Sequence, residues 1–462
     1  MSETGTTEAT METPPRLEVD RLLDDPQTRI IVCCGAGGVG KTTTAAALGV
    51  RAAERGRKVV VLTIDPARRL AQSMGIDSLD NTPRRVKGVQ GAEGGAGGEL
   101  HAMMLDMKRT FDEIVEGHSD PERAQAILAN PFYQSLSAGF AGTQEYMAME
   151  KLGQLRARDD WDLIVVDTPP SRSALDFLDA PGRLGSFLDG KFIRVLMAPA
   201  KVGGRAGMKF LNVGMSMMTG TLSKLMGASL LKDVQTFVAA MDTMFGGFRT
   251  RADATFQLLQ APGTAFLVVS APEPDALREA AYFVERLAAE RMPLAGLVLN
   301  RVHGSDAEQL SAERALAAAE NLEEGGIVDQ ESGKAGLRDS TEADPETDTD
   351  TAARTARETG ADTVEAGADT SADTDARADA ETRADANADV DADVDVITAG
   401  LLRLHAERMQ VIAREQRTRD RFTSLHPEVA VAEVAALPGD VHDLAGLRAI
   451  GERLAAGVPA GA

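Results

Sequence analysis

The sequence is poor in cysteine and in long apolar runs, and each shortage excludes a class of protein. Its two cysteines, Cys33 and Cys34, are adjacent, so they cannot build a disulfide framework or a metal site of two spaced pairs. No apolar run reaches the roughly 18 residues of a membrane-spanning helix. Residues 1–15 also lack the basic and apolar regions of a signal peptide. We therefore expect a cytoplasmic protein with no stable membrane insertion.

Positive charge is also in short supply. The 462 residues include 49 Lys and Arg against 71 Asp and Glu, a formal net charge of −22. This balance argues against nucleic-acid partners, because phosphate groups would be repelled over much of the surface. Aromatic residues make up only 4% of the chain and hydrophobic residues 43%. Aliphatic side chains must therefore fill the core of the one large or two to three ordinary domains that this length allows.

Most of the acidity lies in one segment. Residues 341–395 hold 18 acidic residues and 4 arginines, a net charge of −14 that leaves −8 for the rest of the chain. The segment contains no Leu, Ile, Met or aromatic residue, so it cannot bury enough apolar area to offset its chain entropy. We predict a disordered acidic insert over 325–388, flanked by helices over 305–324 and 396–417, and a disordered tail over 1–24.

Short aliphatic runs alternate with helix-compatible segments in the remaining chain. They predict buried strands at 29–34, 58–64, 161–167, 265–270 and 294–300, and less strongly at 100–106. This alternation indicates an α/β fold with a mostly parallel sheet that helices cover on both faces. We expect its core to comprise residues 25–324 and 389–458, with ligands bound at the carboxyl ends of the strands.

A glycine-rich loop carries the strongest functional signal. Residues 35–42 (GAGGVGKT) match the pattern G-x-x-x-x-G-K-[ST], directly after a predicted strand and before a predicted helix. Backbone N–H groups of such a loop surround a phosphate, its lysine bridges the β- and γ-phosphates, and its last hydroxyl binds Mg²⁺. We predict a nucleotide site made by Gly35, Gly37, Gly38, Val39, Gly40, Lys41, Thr42 and Thr43, with Thr42 on the metal.

Two aspartates follow predicted strands at the same edge of the sheet. Asp167 ends the run 161–167, and Asp65 follows the run 58–64. Taken singly, either carboxylate could cap a loop. Beside a phosphate loop, one can support Mg²⁺ through its water shell while the other orients the attacking water. We assign the water to Asp65 and the metal to Asp167.

Four segments in combination resemble the ArsA-like ATPases, a family that includes arsenite-pump ATPases and the targeting ATPase for tail-anchored membrane proteins. They are 35–44 (GAGGVGKTTT), 63–70 (TIDPARRL), 167–177 (DTPPSRSALDF) and 272–286 (PEPDALREAAYFVER). The resemblance spans about 28–301 and resumes at about 396–454. It implies a P-loop NTPase fold of the deviant Walker A (SIMIBI) type, ATP and Mg²⁺ as cofactors, and a dimer that hydrolyses ATP to ADP and phosphate.

The resemblance also implies roles for single residues. Asp65 corresponds to the family's catalytic aspartate, acting with Lys41, while Asp167, Thr168 and Pro169 correspond to a second switch that senses the γ-phosphate. Near the adenine, the corresponding residues are Asn300, whose amide offers both a donor and an acceptor, and Pro438 in the C-terminal loop. A simple turn residue at a strand end is the alternative interpretation of Asn300.

Two departures from the family pattern matter. The family's loop usually has a lysine as its second residue, which reaches the partner subunit's nucleotide, and here that position is Ala36. Either this chain works without the lysine as a homodimer, or a paralogue supplies it in a heterodimer. The zinc-binding CxxC pair of the targeting ATPases is missing as well, and Cys33 and Cys34 belong to a predicted buried strand. We therefore expect neither zinc nor arsenite specificity.

Methionine is concentrated in the segment 187–248, within a predicted helical subdomain over 181–250. Eight of the 18 methionines fall between Met197 and Met244. Flexible thioether side chains suit apolar grooves that accept varied partners, and in the targeting ATPases this region holds a transmembrane helix. An adaptable subdomain core or a subunit interface would have the same composition.

Three functions remain open on the sequence. The first is an ATP-gated dimer that switches a hydrophobic groove, as a targeting or chaperone factor for membrane or apolar clients. The second is a positioning switch of the MinD or ParA kind, which the weakly basic C-terminal helix and the acidic charge disfavour. The third is a regulatory nucleotide-sensing subunit paired with an active paralogue, which Ala36 keeps open.

Overall fold

The computed structural model describes residues 15–64, 69–76, 79–89, 97–137, 143–169, 250–332 and 372–456. The chain divides into two compact units, one of residues 1–304 and 412–462 and the other of residues 305–411. Within the described part of the chain, no helix combines the length and the apolar character that crossing a membrane requires.

The first unit is built on an eight-stranded sheet in the order β3-β4-β2-β5-β1-β6-β7-β8. Only the edge pair β3–β4 is antiparallel; all other neighbours are parallel. The strands are β1 (Ile30–Cys34), β2 (Lys58–Thr63), β3 (Arg84–Arg85), β4 (Glu99–Met104), β5 (Leu163–Asp167), β6 (Thr264–Ser270), β7 (Leu294–Val302) and β8 (Val431–Ala435). The predicted mostly parallel α/β fold is confirmed.

The helices occupy the connections between these strands and both ends of the chain. They are α1 (Val19–Asp24), α2 (Lys41–Glu54), α3 (Arg69–Ser73), α4 (Met107–His118), α5 (Pro121–Leu128), α6 (Pro131–Ser137), α7 (Thr143–Arg158), α8 (250–260), α9 (Pro274–Ala289), α10 (Ala312–Ser332), α11 (Ala372–Leu425) and α12 (Leu444–Ala456).

Two hydrophobic cores lie on opposite faces of the sheet. Strand β1 alternates between them: Ile30 and Val32 belong to one core, which α4 to α7 and α9 cover, and Ile31 belongs to the other, which α1, α2 and α12 cover. Every residue of β1, β5 and β6 is buried. Burial on both faces explains why these strands are continuous aliphatic runs and not alternating ones.

Residues 15–24, which belong to the predicted disordered tail over 1–24, are packed against the rest of the first unit. Leu17 donates its backbone N–H to the carbonyl of Val431 at 3.0 Å, and α1 buries Val19 and Leu23. The Arg51 guanidinium donates two hydrogen bonds to the Asp20 carboxylate, at 2.5 and 2.7 Å, and these hold the pKa of Asp20 below its usual value. Over residues 15–24 the prediction is wrong, because three buried aliphatic side chains offset the polar composition; residues 1–14 lie outside the described residues.

The predicted acidic insert is also helical at both of its ends. Helix α10 continues to Ser332 and α11 begins at Ala372, so residues 325–332 and 372–388 are not disordered; residues 333–371 lie outside the described part. Seven of the nine even-numbered residues from 372 to 388 are alanine, the strongest helix former, and this propensity favours a helix where the low apolar content alone predicts disorder. Within the second unit, Arg403 of α11 donates to the Glu323 carboxylate of α10 at 2.6 Å.

The packing of α1 against the rest of the first unit predicts that a substitution in this helix lowers the stability of the protein, although α1 is not part of the glycine-rich loop or the other sequence motifs. Leu23 is fully buried, so Leu23→Ala should lower the free energy of unfolding by about 3 kcal/mol through lost burial and a residual cavity. Urea denaturation followed by circular dichroism measures this change. Arg21→Ala, at an exposed position of the same helix, should stay within about 0.5 kcal/mol of the parent protein. Equal stability of both variants would mean that α1 does not pack on the fold.

Candidate functional site

The glycine-rich loop joins the end of β1 to the start of α2 at the carboxyl edge of the sheet. Gly38 and Gly40 have φ angles of 79° and 95°, which favour glycine. Packing adds a second restriction: a methyl group on Gly35 would lie 2.0 Å from the carbonyl oxygen of Val269, and one on Gly40 would lie 2.2 Å from Nδ2 of Asn300. The loop is therefore pressed against β6 and β7, and its conformation depends on glycine.

Lys41 is the first residue of α2 and is only 5% exposed. Its ammonium group donates a hydrogen bond to the carbonyl oxygen of Ala36 at 2.7 Å, which turns the side chain back along the loop. Gly37 and Gly38 form the exposed crest, Val39 is buried, and Thr43 is half-buried in the first turn of the helix. The N-terminus of a 14-residue helix and a lysine thus converge on one exposed loop, an arrangement that suits a phosphate group.

Asp167 lies at the centre of the site. Its carboxylate is fully buried at the end of β5, and Oδ2 accepts hydrogen bonds from the hydroxyl of Thr42 at 2.8 Å and from the hydroxyl of Thr63 at 2.9 Å. These hydroxyls belong to α2 and β2. The predicted pair Thr42 and Asp167 is therefore brought together by the fold.

The residues beside Asp167 are held by the neighbouring strands. Thr168 is buried and donates its hydroxyl to the carbonyl oxygen of Cys33 at 2.9 Å, while Pro169 is partly exposed at the end of the described segment. Asp65 lies outside the described residues. The residue before it, Ile64, donates its N–H to the carbonyl of Asp167 at 3.0 Å. The chain that leads to Asp65 is thus tied directly to β5.

Asn300 and Pro438 also lie at the carboxyl edge of the sheet. Asn300 is buried near the end of β7, and its Nδ2 donates to the carbonyl oxygen of Val39 at 2.8 Å. Asn300 therefore contacts the glycine-rich loop, whatever else it binds. Pro438 is exposed in the segment after β8, at the same carboxyl edge.

A cavity of about 370 Å³ opens beside the crest of the loop. Residues 36–39 form one wall, and the start of α9 forms the other. Three carboxylates line this second wall, and a single arginine accompanies them: Glu273, Asp275, Glu279 and Arg301. The open side of the loop is therefore bordered mainly by negative charge.

Two residues of the site were missed by sequence reasoning. Thr63 ends β2 and pairs in register with Asp167 on β5, which brings its hydroxyl to the carboxylate. Gln144, on α7, donates its amide to the carbonyl oxygen of Ile64 at 3.0 Å. A hydroxyl at the end of an aliphatic strand is a usable signal for Thr63 once the strand order is known. Nothing in the sequence around Gln144 indicates its role.

Cys33 and Cys34 are buried, as predicted, and face the two cores. Burial raises the pKa of the Cys34 thiol to about 12 and that of Cys33 well above its usual value, with the nearby Asp167 carboxylate adding to the second shift. Both residues therefore act as small apolar side chains of β1.

Comparison with known proteins identifies relatives of the chain. A family model described as anion-transporting ATPase (ArsA) matches residues 28–324, more than half of the chain. ATPase GET3 of Podospora anserina is 26% identical over 302 residues, 64% of this chain and 80% of that protein. ATPase GET3 of Malassezia globosa is 30% identical over 171 residues, 37% of this chain and 47% of that protein. ATPase ASNA1 homolog 2 of Paramecium tetraurelia is 23% identical over 289 residues, 61% and 78% of the two chains.

Asn300 contacts the glycine-rich loop, so a test of its predicted adenine contact must separate support of the loop from recognition of the base. If its amide also binds the base, Asn300→Ala should weaken ATP binding about tenfold and GTP binding less, because one base-specific hydrogen bond is lost. Calorimetric titration with both nucleotides measures this difference. Equal weakening of the two would show that Asn300 supports only the loop, and the adenine assignment would then be wrong.

The cysteine environment predicts a pH profile for thiol labelling. The thiolate is the reactive form, and a pKa of about 12 leaves only about one thousandth of Cys34 ionised at pH 9. A thiol-reactive disulfide reagent should therefore leave the folded protein unlabelled at pH 9. The same protein in guanidinium chloride should release two equivalents per chain. Rapid labelling of the folded protein would contradict the buried placement of β1.

Proposed function

The chain belongs to the anion-transporting ATPase (ArsA) family, and from this premise we propose that it is a Mg²⁺-dependent ATPase whose nucleotide state opens and closes a dimer around a hydrophobic client groove. The family match and the ATPases among its relatives make it an ATP-hydrolysing enzyme. The bound Mg²⁺, the dimer and the hydrophobic client are the parts of this function that we propose. The observation that carries the metal site is the hydrogen-bonded group of Thr42, Thr63 and Asp167 beneath the glycine-rich loop.

The donor set of this group suits Mg²⁺. The ion prefers oxygen ligands and keeps several waters, so it is usually held by one or two protein groups together with substrate phosphates. The Thr42 hydroxyl would bind the ion directly, and the Asp167 carboxylate, 2.8 Å from that hydroxyl, would hold it through water. When bound, the ion neutralises charge on the β- and γ-phosphates. A larger carboxylate cage is not required.

The loop would supply the remaining positive charge. Its backbone N–H groups and the N-terminus of α2 would bind the phosphates, and Lys41 would move its ammonium group from the Ala36 carbonyl to the β- and γ-phosphates. Because the lysine is already confined by burial, it loses little side-chain freedom on binding. We expect Thr43 to contribute a further polar contact from the first turn of α2.

Asp65 is proposed to orient the attacking water. Its neighbour Ile64 is fixed from two sides, by the Asp167 carbonyl and by the Gln144 amide. A change at the phosphate that moves Asp167 would therefore be felt by the chain that carries Asp65. This supports a switch in which Asp167, Thr168 and Pro169 sense the γ-phosphate and Asp65 acts on the water.

The dimer is proposed from the family and from the electrostatics of the loop. Ala36 offers no side-chain charge, and the cavity beside it is lined by Glu273, Asp275 and Glu279. Such a wall favours an incoming cation from a second subunit. In a homodimer this cation must come from another position of the chain, whereas a paralogue with lysine in its loop would supply it in a heterodimer.

The client is proposed to be an apolar or membrane-protein segment. The family, which includes a targeting ATPase for tail-anchored proteins, supports such a client. The methionine-rich composition of 187–248, a segment that lies outside the described residues, supports it as well. A targeting or chaperone factor for such clients would act in the cytoplasm.

The positioning alternative loses support from the C-terminal helix. Leu447, Ile450 and Leu454 of α12 are buried against the core on the α2 side. An amphipathic membrane anchor would need that apolar face free. The regulatory-subunit alternative keeps the support of Ala36.

The decisive test is steady-state ATP turnover by the purified chain with Mg²⁺. Asp65→Asn should lower kcat by about 10²-fold with little change in ATP affinity, because only the orientation of the water is lost. Asp160→Asn, at an exposed position before β5, is the matched control and should leave turnover unchanged. Full turnover by Asp65→Asn would overturn the catalytic assignment, and removal of Mg²⁺ by EDTA should abolish turnover in the parent protein.

Light scattering coupled to size-exclusion chromatography tests the dimer. The chain with ATP and Mg²⁺, alone or mixed with a lysine-containing paralogue, should elute at twice the mass of one subunit. A monomer in both mixtures would exclude the gated dimer while leaving the ATPase assignment intact. Activity that appears only in the mixture would favour the regulatory alternative.

A further inference from the structure

A groove of about 490 Å³ lies between α9 and the last part of α11, within the first unit. Its floor is apolar: Leu277 and Phe422 are each only 4% exposed, and Ala281 is partly buried beside them. Leu425 extends the apolar surface to the end of α11, where it is 67% exposed. None of these side chains belongs to the nucleotide site described above.

The rim of the groove is basic. Arg414, Arg417 and Arg421 line it from α11 and are exposed; their spacing of three and four residues places them on one helix face. Arg278 lines it from α9 and forms an ion pair with Asp275 at 3.0 Å.

Nearby acidic side chains do not neutralise the three arginines of α11. Glu433 and Asp420 pair with Arg419, and Glu415 contacts His303. Among the described residues, none forms an ion pair with Arg414, Arg417 or Arg421. Three guanidinium groups thus remain available for an external partner, on a chain whose net charge is −22.

We propose that this groove binds an acidic amphipathic segment of a partner protein. An apolar side chain of the segment would enter the floor between Leu277 and Phe422, and its carboxylates would pair with the arginines. Guanidinium groups suit this role because each can bind a carboxylate through two parallel hydrogen bonds. A helix with apolar residues on one face and acidic residues beside them matches both the shape and the charge of the groove.

Two other anionic partners fit the groove less well. A bilayer surface is flat on this scale, and the apolar floor is recessed, so lipid tails would not reach Leu277 or Phe422. A single-stranded nucleic acid requires exposed aromatic rings for stacking, whereas Phe422 is buried beneath the arginines. The acidic peptide is the ligand that uses both the recessed floor and the charged rim.

The groove also shares a helix with the nucleotide site. Leu277, Arg278 and Ala281 of α9 line the groove, whereas Asp275 and Glu279 of the same helix line the cavity beside the glycine-rich loop. A partner bound in the groove would therefore lie against the helix whose opposite side faces the nucleotide. This placement fits a regulatory or delivery partner better than a client held in the methionine-rich segment.

The test is the binding of a fluorescent acidic peptide to the full-length chain, followed by anisotropy. The probe is a synthetic helix of about 18 residues with leucine on one face and glutamate beside it. R414E/R417E/R421E should weaken its binding by about tenfold or more, because attraction is replaced by repulsion. Leu425→Ser should weaken it about threefold through lost apolar contact.

The control is K87E/R158E/R314E, which makes the same change in net charge at exposed cations outside the groove and should bind the peptide like the parent protein. ATP turnover should be equal in both triple variants, which confirms that they fold. Absence of peptide binding by the parent protein, or equal binding by both triple variants, would overturn the proposal. The proposal would also be overturned if R414E/R417E/R421E still bound the peptide but no longer bound phosphatidylglycerol vesicles or single-stranded DNA. The groove would then be a site for a membrane or a nucleic acid.

Discussion

The buried carboxylate of Asp167 is the constraint on which the site depends. A carboxylate without exposure to water is stable only when its oxygens accept hydrogen bonds, and two threonine hydroxyls satisfy Oδ2 here. Those hydroxyls belong to α2 and β2, and Asp167 itself ends β5. The consecutive elements α2 and β2 are therefore tied to β5, whose Asp167 lies 104 residues beyond Thr63, and a shift of β5 would disturb both contacts.

This arrangement explains how a phosphate loop can be linked to a residue on another strand. The loop lies on the Thr42 side of the carboxylate, and the chain leading to Asp65 lies on the Thr63 side. The two hydrogen bonds, of 2.8 and 2.9 Å, are partly and fully buried, and the low local dielectric strengthens them relative to bonds at the surface. A small movement of Asp167 would therefore alter its hydrogen bonds to both Thr42 and Thr63. No longer chain of contacts is needed to connect the loop with the segment that leads to Asp65.

The parts that could be predicted from the sequence are those in which local pattern and burial agree. The aliphatic runs at 29–34 and 161–167 became β1 and β5 within two residues, because strands buried on both faces need continuous apolar side chains. The loop pattern at 35–42 was equally clear, because the spacing of its glycines, lysine and threonine occurs between a strand and a helix. Asp167 followed from its position at the end of a strand.

The parts that were missed depend on partners distant in the sequence. Strand β8 has the sequence VAEVA, whose alanines have weak strand propensity, and it forms because β7 offers a parallel edge. Residues 15–24 are polar on average, and their order comes from contacts with β8 and α2. Thr63 was overlooked for the same reason: its role appears only when β2 is known to lie beside β5.

The long connection between β7 and β8 shows why such an acidic segment is compatible with this fold. A parallel pair needs a crossover of a dozen or more residues in any case, and the entropy cost of lengthening a closed loop grows slowly, by about 0.6 kcal/mol for each doubling. The acidic segment follows β7, and β8, the edge strand of the described sheet, comes after it in the chain. Its acidic residues extend into the start of α11, whereas the arginines of the groove lie near the end of the same helix. The net charge of −22 is therefore unevenly distributed along the chain. A local basic surface can exist on this strongly acidic protein because most of the acidic residues in excess lie in another segment.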